Sequence, residues 1–324
     1  MHRSRAMILL CALVLLFAHA AGARADTYPS RPVRLIVPFA AGGLNDVVAR
    51  LVAPYLEKAL GQPFIVDNRP AASGIVGTDA TAKAAPDGYT LLMVASSFTV
   101  IPATRPSVPY DSERDLAPII MVAKNSMLFL VNPKLPARSL AEFVALAKAE
   151  PGKLNYASPG PATQTHLVVE LFSQKAGIKL QHIPYRGGAP AMTAMVAGDT
   201  QFTAISTLLS LPQIQAGALR AIANGNATRE AQFPDLPTVA EQGYPGFEAI
   251  QWIGLLTTAG TPKDIIERIN AELNRALRDP DLIAKFAQQG ITPVGGTPAD
   301  FQRAIAADLK TWGETARAAN IKAE

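Results

Sequence analysis

Few residues in this sequence could perform covalent or metal chemistry. Two histidines, His166 and His182, lie beyond the first 25 residues, and the only cysteine is Cys11. His166 and Glu170 are four residues apart and could share a helix face. A zinc site needs further ligands, and none stands at a suitable spacing. The sequence therefore predicts no metal and no cofactor.

Three serines, Ser96, Ser97 and Ser158, could each combine with a histidine in a nucleophilic site. None of them lies in the G-x-S-x-G sequence that presents the nucleophile of an α/β-hydrolase. The phosphate-binding sequences G-x-x-x-x-G-K-[ST] and G-x-G-x-x-G do not occur either. The sequence thus gives catalysis no support, and an exported hydrolase of esters or amides is kept only as an alternative.

Turns made of small residues offer a different chemistry, the binding of an anion by backbone N–H groups. An apolar run typical of a buried strand, 33–38, is followed by small residues at 40–43 and by a helical pattern. Asn45 or Asp46 is the predicted N-cap. The start of a helix presents unpaired N–H groups and a positive dipole end. The same arrangement recurs at 71–74, 158–163 and 186–189.

Four such turns, each following a predicted strand, indicate one shared cleft. In open α/β sheets, ligands bind beyond the carboxyl ends of the strands. Each helix N-terminus contributes about 0.3–1 kcal/mol toward an anion, so several could hold a small carboxylate without an arginine. Any single turn could equally be an ordinary connection, and it is their recurrence that favours a binding site.

The segments that position these turns alternate between strand and helix, which predicts an α/β fold with mostly parallel sheets and flanking helices. Residues 119–131 form a predicted strand interrupted near Lys124, and the composition changes after Asn226. We therefore expect two lobes, the first built from 26–123 and 226–324 and the second from 124–225. Residues 102–118 contain four prolines and are predicted to be an irregular connection.

Residues 1–25 have the features of a signal peptide. Arg3 and Arg5 precede an apolar run, and small residues at 23 and 25 mark cleavage before Asp26. Removing 25 of 324 residues leaves 299, with no cysteine for disulfides. Three arginines leave with them, so Lys plus Arg falls from 30 to 27 against 26 acidic residues, a net charge of about +1.

The remaining 299 residues give no sign of a nucleic-acid or membrane protein. No cluster of Lys and Arg indicates a nucleic-acid surface. No apolar run approaches the ~20 residues that span a bilayer. The chain is expected to be exported, and no nucleic-acid or membrane-embedded role is expected.

These segments resemble the extracytoplasmic solute-binding proteins of tripartite tricarboxylate transporters, also called Bug receptors. The resemblance covers essentially all of 26–324. It is carried by YPSRPVRLIVPFAAGGLNDVVAR (28–50), APDGYTLL (85–92), YASPGPATQTHLVVELF (156–172), IPYRGGAPAM (183–192) and PDLPTVAEQGYPGFE (234–248). It implies a two-lobed periplasmic binding protein, a type II-like Venus flytrap. Such a receptor acts as a monomer without catalysis and delivers a small carboxylate to membrane permease subunits.

In such receptors the first βα loop and the Y-A-S-x-G loop hold the carboxylate through backbone groups, partly by way of water. Carried over by position, the resemblance implies ligand contacts from Ala41, Gly42, Gly43, Asn45, Asp46, Ser158, Gly160, Thr163, Gln164 and His166. The other predicted ligand-binding residues lie on the remaining turns and strand ends: Ser73, Gly74, Ser96, Ser97, Arg186, Gly187, Gly188 and Ser206.

The sequence departs from the family pattern at two places. Many members have Gly then Ser where this chain has Ala162 and Thr163, so this loop is expected to avoid a backbone shape that only glycine tolerates. Many also have an acidic residue near the strand end at Ser206, where this chain has none. A receptor for an α-amino acid would use such an anion to pair the ammonium group, so a mono- or dicarboxylate is expected.

The partner in the membrane is left open by the sequence. A receptor that presents its closed form to a sensor kinase would use the same cleft as one that serves a permease. Ligand sensing is therefore kept as the alternative to transport.

Overall fold

The computed structural model describes residues 28–39, 41–105, 107–230 and 232–322. The predicted signal peptide and its cleavage site lie outside the described residues. Within these residues, no helix combines the length and the apolar character that crossing a membrane requires.

The first lobe is built from both ends of the described chain. Its N-terminal part contains β1 (Val33–Val37), α1 (Leu44–Leu60), β2 (Phe64–Asn68), α2 (Ile75–Ala82), β3 (Thr90–Ala95) and α3 (Ser97–Thr104). A short 3₁₀ turn, Ala72–Gly74, precedes α2. Its C-terminal part contains β9 (Ile250–Thr258), α8 (Lys263–Ala276), α9 (Pro280–Gln288), β10 (Thr292–Pro293) and α10 (Pro298–Ala318).

The second lobe is built from the middle of the chain. Its elements are α4 (Leu140–Ala149), β5 (Asn155–Ser158), α5 (Gln164–Ala176), β6 (Gln181–Pro184), α6 (Gly188–Ala197), β7 (Phe202–Ser206), α7 (Thr207–Gln215) and β8 (Arg220–Asn224). Helix α4 starts after an N-cap serine, because the Ser139 side chain accepts a hydrogen bond from the Glu142 N–H. Each parallel strand of this lobe ends in a turn that leads into a helix, so the turns gather at one edge.

Strand β4 (Leu116–Val131) joins the two lobes. Its first part, up to Ser126, pairs with β9, and its last part, from Met127, pairs with β7 and β8. The strands therefore follow one another in a continuous curled path, β2-β1-β3-β9-β4-β7-β5-β6, with β8 and β10 also paired to β4. The division of the chain into lobes at residues 123 and 225 stays a prediction, because β4 pairs with strands of both lobes.

The sheet is mixed, whereas the sequence predicted mostly parallel sheets. Pairing is parallel where helices connect the strands, as in β1–β2 and β5–β6. It is antiparallel for every pair that involves β4 or β9, such as β3–β9. Strand β9 therefore runs opposite to its two neighbours, β3 and β4, and β4 runs opposite to β7 and β8.

Each lobe buries its own apolar core, and α10 reaches from one core to the other. Phe301, near the start of α10, packs edge-to-face on Trp252 at 5.2 Å in the first lobe. Trp312, near its end, packs into the core around Phe129 in the second lobe. The predicted irregular segment 102–118 is partly wrong, because α3 continues through Pro102 to Thr104.

Candidate ligand-binding site

A cleft of about 500 Å³ lies where the turns of the two lobes meet. Both lobes contribute to its walls: the β1–α1 turn and α3 from the first, the β5–α5 turn and α7 from the second. The predicted site residues that line it are Gly42, Gly43, Asn45, Ser73, Ser97, Thr163, Gln164 and Ser206. The structure thus brings together residues that are far apart in the sequence.

Helix α1 points its N-terminus into this cleft. Its N-cap is Gly43, which has an extended backbone, so the prediction of Asn45 or Asp46 as the N-cap is wrong. The intrahelical ladder starts with the Val47 N–H and the Gly43 carbonyl at 2.9 Å. The backbone N–H groups of the preceding helical residues, Leu44 and Asn45, have no place in that ladder. They are the donors that this helix offers to an anion.

Asp46 lies in the first turn of α1 and accepts hydrogen bonds there, so it is not the N-cap that the sequence predicted. Its carboxylate accepts from the Gly42 N–H at 2.8 Å, from Arg50 Nε at 2.9 Å and from Asn68 Nδ2 at 2.9 Å. Burial acts to raise the pKa of Asp46, but the hydrogen bonds from Arg50, Gly42 and Asn68 hold it below its usual value. Asp46 is therefore an ionised group that already uses the Gly42 donor, and it does not line the cleft.

Helix α5 is the second N-terminus at the cleft. Its N-cap is Thr163, whose hydroxyl donates to the Gly160 carbonyl at 2.8 Å and accepts from the His166 N–H at 3.5 Å. The ladder begins with the Leu167 N–H and the Thr163 carbonyl at 3.1 Å. The N–H groups of Gln164 and Thr165, both cleft-lining residues, precede it.

The loop before α5 contains a left-handed residue. Ala162 has φ 55°, although the sequence predicted that this loop would avoid such a shape. That prediction is wrong, and the local hydrogen bonds give the reason. The Ala162 N–H donates to His166 Nδ1 at 3.1 Å, and the Thr163 hydroxyl holds the Gly160 carbonyl on the other side. These bonds fix the loop in a conformation that costs an alanine energy.

Ser158, Gly160 and His166 support this loop from beneath and do not line the cleft. Ser158 is fully buried, and its Oγ lies 2.6 Å from His182 Nε2 and 3.1 Å from the Gly160 N–H. The His182 ring stacks on His166 with 3.8 Å between centroids. Burial lowers the pKa of each histidine to about 4, so both rings are neutral near pH 7.

The other predicted residues also lie outside the lining and have structural partners. The Gly74 N–H donates to the Ala71 carbonyl, and the Ser96 hydroxyl donates to Gln164 Oε1. The Gly187 N–H donates to the Pro159 carbonyl at 3.0 Å, which ties the third turn to the second. Ala41, Arg186 and Gly188 are likewise absent from the cleft lining.

One wall of the cleft was not predicted beyond its first residue, Ser97. Helix α3 contributes Ser97, Val100, Ile101, Thr104 and Arg105. Their spacing of three, four, seven and eight residues from Ser97 is that of one helix face, but the prolines of this segment masked the signal. Helix α7 lies across from it and supplies Leu208 and Leu209. The cleft is therefore more apolar than the predicted turns alone imply.

The described residues contain no group of three or more His, Cys, Asp or Glu side chains that could hold a metal ion. The prediction of no metal and no cofactor rests on the sequence, and the cleft chemistry is that of N–H donors, hydroxyls and apolar side chains.

Comparison with known proteins places this geometry in a family. The family described as "Tripartite tricarboxylate transporter family receptor" matches residues 48–321. Protein BugT of Bordetella pertussis is 39% identical over 324 residues, 99% of each chain. The structure of R. palustris Rpa4515 with adipate is similar at a TM-score of 0.79 and 32% identity, covering 91% of this chain and 99% of that one.

A further solved structure shares the fold. MatC from Rhodopseudomonas palustris with bound malate has a TM-score of 0.75 and 28% identity, covering 89% of this chain and 99% of the other.

Proposed function

This chain belongs to the tripartite tricarboxylate transporter receptor family and is a Bug-type solute-binding protein, and we propose that it captures a small mono- or dicarboxylate in the cleft between its lobes. It does so in the periplasm, after removal of residues 1–25, and it delivers the ligand to the membrane subunits of a tripartite transporter. It works as a monomer and catalyses no reaction.

The observation that carries this proposal is the pair of helix N-termini at one cleft. Helix α1 from the first lobe and α5 from the second both open onto it, with N-caps Gly43 and Thr163. Donors from Leu44 and Asn45 lie on one side and donors from Gln164 and Thr165 on the other. Unpaired helix-terminal N–H groups favour an anion without a cationic side chain.

The ligands of two related solved structures support a carboxylate as the ligand of this chain. One solved structure contains adipate and the other malate. Both ligands have two carboxylates. The N–H donors of the cleft are the physical reason to propose a carboxylate for this chain as well.

A thermal-shift screen over small carboxylates, followed by calorimetry, tests the proposal. A ligand present at 100 times its dissociation constant should add about 2.7 kcal/mol to the free energy of unfolding. The matched amides, which have no negative charge, should give no shift. If no carboxylate in a broad screen stabilises the protein, the proposed function is wrong.

A hydrolase is the second candidate, because Ser158 Oγ and His182 Nε2 lie 2.6 Å apart. A nucleophile must reach its substrate, and Ser158 is fully buried and absent from the cleft lining. We therefore assign the pair to holding the β5–α5 loop. Turnover of small esters by the parent protein, lost in Ser158→Ala, would support the hydrolase instead.

The identity of the membrane partner separates transport from sensing. Both roles use the closed receptor, so binding data cannot distinguish them. Deleting the gene should abolish uptake of a labelled ligand if the receptor serves a permease. Unchanged uptake with loss of ligand-induced transcription would instead indicate a sensor kinase.

A further inference from the structure

One charged side chain stands in the cleft wall. Among the cleft-lining residues that the structure describes, Arg105 is the only one with an ionisable side chain. Within the described residues, Arg105 forms no ion pair with a carboxylate at 4.0 Å or less. A cation in a concave wall without a protein counter-ion is available to an anionic group of a ligand.

Helix α3 sets the distance between Arg105 and the N–H donors of the site. Ser97 begins this helix at the carboxyl end of β3, close to where the Ser96 side chain meets Gln164 of α5. Arg105 follows its last residue, and its N–H donates to the Ile101 carbonyl at 3.0 Å, which continues the helical turn. Eight residues at 1.5 Å each place the two ends of this wall about 12 Å apart.

The surface between these two ends is apolar. Val100 and Ile101 of α3 form one side, and Ile205, Leu208 and Leu209 of the second lobe form the other. Leu209 is 41% exposed and Leu208 is half-buried, so the side of the cleft formed by α7 presents apolar surface. Val100, Ile101 and Ile205 are buried, so the exposed part of this surface comes from Leu208 and Leu209. Methylene groups of a ligand would cover these two leucines, and both partners would lose contact with water.

From this arrangement we infer that Arg105 binds a second anionic group of the ligand, so the receptor prefers α,ω-dicarboxylates with an apolar spacer to monocarboxylates of the same length. One carboxylate lies at the N-termini of α1 and α5, and the other accepts two N–H groups of the planar guanidinium. The spacer lies along α3 and α7. The inference rests on the proposed function, because it assumes that the first carboxylate binds at the helix N-termini.

The first test compares adipate with hexanoate by calorimetry on the full mature chain. Both have six carbons, and only adipate has a second carboxylate. We expect the parent to bind adipate at least about tenfold more tightly than hexanoate. A chain-length series from succinate to suberate should show an optimum, since the span between the two binding points is fixed.

Variants of Arg105 assign the preference to its side chain. Arg105→Gln should lower adipate affinity at least about tenfold and leave hexanoate affinity unchanged. Arg105→Lys should have an intermediate effect, because an ammonium keeps the charge but not the paired N–H geometry. Arg114→Gln is the matched control, since Arg114 lies in the same connection and pairs with Asp115 away from the cleft. It should bind as the parent does.

A measurement on the parent protein alone guards against misfolded variants. Adipate monoethyl ester keeps the six-carbon chain of adipate and removes one charge, so it should bind as weakly as hexanoate. Equal affinity for adipate, its monoester and hexanoate would overturn the role of Arg105 while leaving carboxylate binding intact. An unchanged adipate preference in a folded Arg105→Gln would do the same. If neither series binds, the proposed function itself fails, and this inference fails with it.

Discussion

The hydroxyl of Ser96 donates a hydrogen bond to Oε1 of Gln164 at 2.5 Å, and this bond joins two residues 68 positions apart. Ser96 follows β3 in the first lobe, and Gln164 begins α5 in the second. The Gln164 amide also donates to the Ile250 carbonyl at 2.5 Å. Both side chains are buried. Gln164 is therefore held by the first lobe at the point where its own helix meets the cleft.

Breaking this link should cost stability in a coupled way. Ser96→Ala and Gln164→Ala each leave a buried polar partner unsatisfied, so each should lower the free energy of unfolding by about 1–3 kcal/mol. The double variant should cost less than the sum of the two, because the same bond is removed only once. Urea denaturation measures all three. Ser139→Ala combined with Gln164→Ala is the control, and those two effects should add.

Gly43 tests the donors of α1. Its backbone is extended, with φ −76°, so a larger residue is not strained there. Because Gly43 lines the cleft, a side chain would stand between the ligand and the first N–H groups of the helix. Gly43→Val should weaken binding of the best carboxylate at least about tenfold, and Gly43→Ala should weaken it less. Calorimetry gives the affinities, and a melting curve shows whether the fold is kept.

Parent-like affinity in a folded Gly43→Val would mean that the carboxylate is held elsewhere. The β1–α1 turn would then be only a connection in the fold.

The parts of the site that follow a local rule could be predicted from the sequence. The turn at Gly42 and Gly43 stands out because an apolar strand, two glycines and a helical pattern occur within about twenty residues. Thr163 was correctly placed at a helix start, because a predicted strand and a turn of small residues precede it. The role of Asp46 could not be predicted, because one of its hydrogen-bond partners, Asn68, lies 22 residues later at the end of β2.

Two other features of the site depend on tertiary contacts, which a local sequence pattern does not predict. Ser158 and His182 meet because β5 and β6 pair in parallel, with Tyr156 opposite His182. The cleft wall at Arg105 was missed because prolines predict an irregular chain, whereas α3 is fixed by packing, with Phe98 and Val100 buried. Tertiary contacts thus override local propensity at this wall.

Ala162 provides a test of strain in the β5–α5 loop. A left-handed alanine costs about 1–2 kcal/mol, and glycine removes this cost while losing about 0.5–1 kcal/mol of chain entropy. Ala162→Gly should therefore raise the free energy of unfolding by about 0.5–1 kcal/mol. Ala227→Gly, in an exposed loop with no left-handed residue, is the control and should not stabilise. A destabilised Ala162→Gly would show that the methyl group has a packing role.

The stacked histidines predict how stability depends on pH. Their pKa values are about 4 in the folded protein because burial disfavours the charged rings, against about 6.5 in an unfolded chain. The unfolded chain therefore binds more protons between these values, and stability is lost as the pH falls from 6.5 toward 4. Urea denaturation across this range should show a shallower slope for His182→Gln. Gln181→Ala, an exposed position on the same strand, should keep the slope of the parent.

Closure of the two lobes on a ligand is the last prediction, and it depends on the strands that join them. Chains cross between the lobes at Ser126 in β4 and at Ile250, where β9 begins. Gly225 lies against this crossing, and an added Cβ would lie 2.6 Å from the Ala249 carbonyl oxygen and 2.7 Å from that of Met127. A bend at so few residues would let the lobes approach as bodies.

We expect the radius of gyration, measured by small-angle scattering, to decrease when the best carboxylate of the screen is added. Gly225→Ala should force the crossing strands apart, lower the free energy of unfolding and reduce this change, whereas Gly313→Ala in α10 should not. The substituted Cβ at 313 would meet only the end of the flexible Arg317 side chain, at 3.4 Å. Tight binding by the parent with no change in scattering would contradict closure, because the lobes would then hold the ligand without moving.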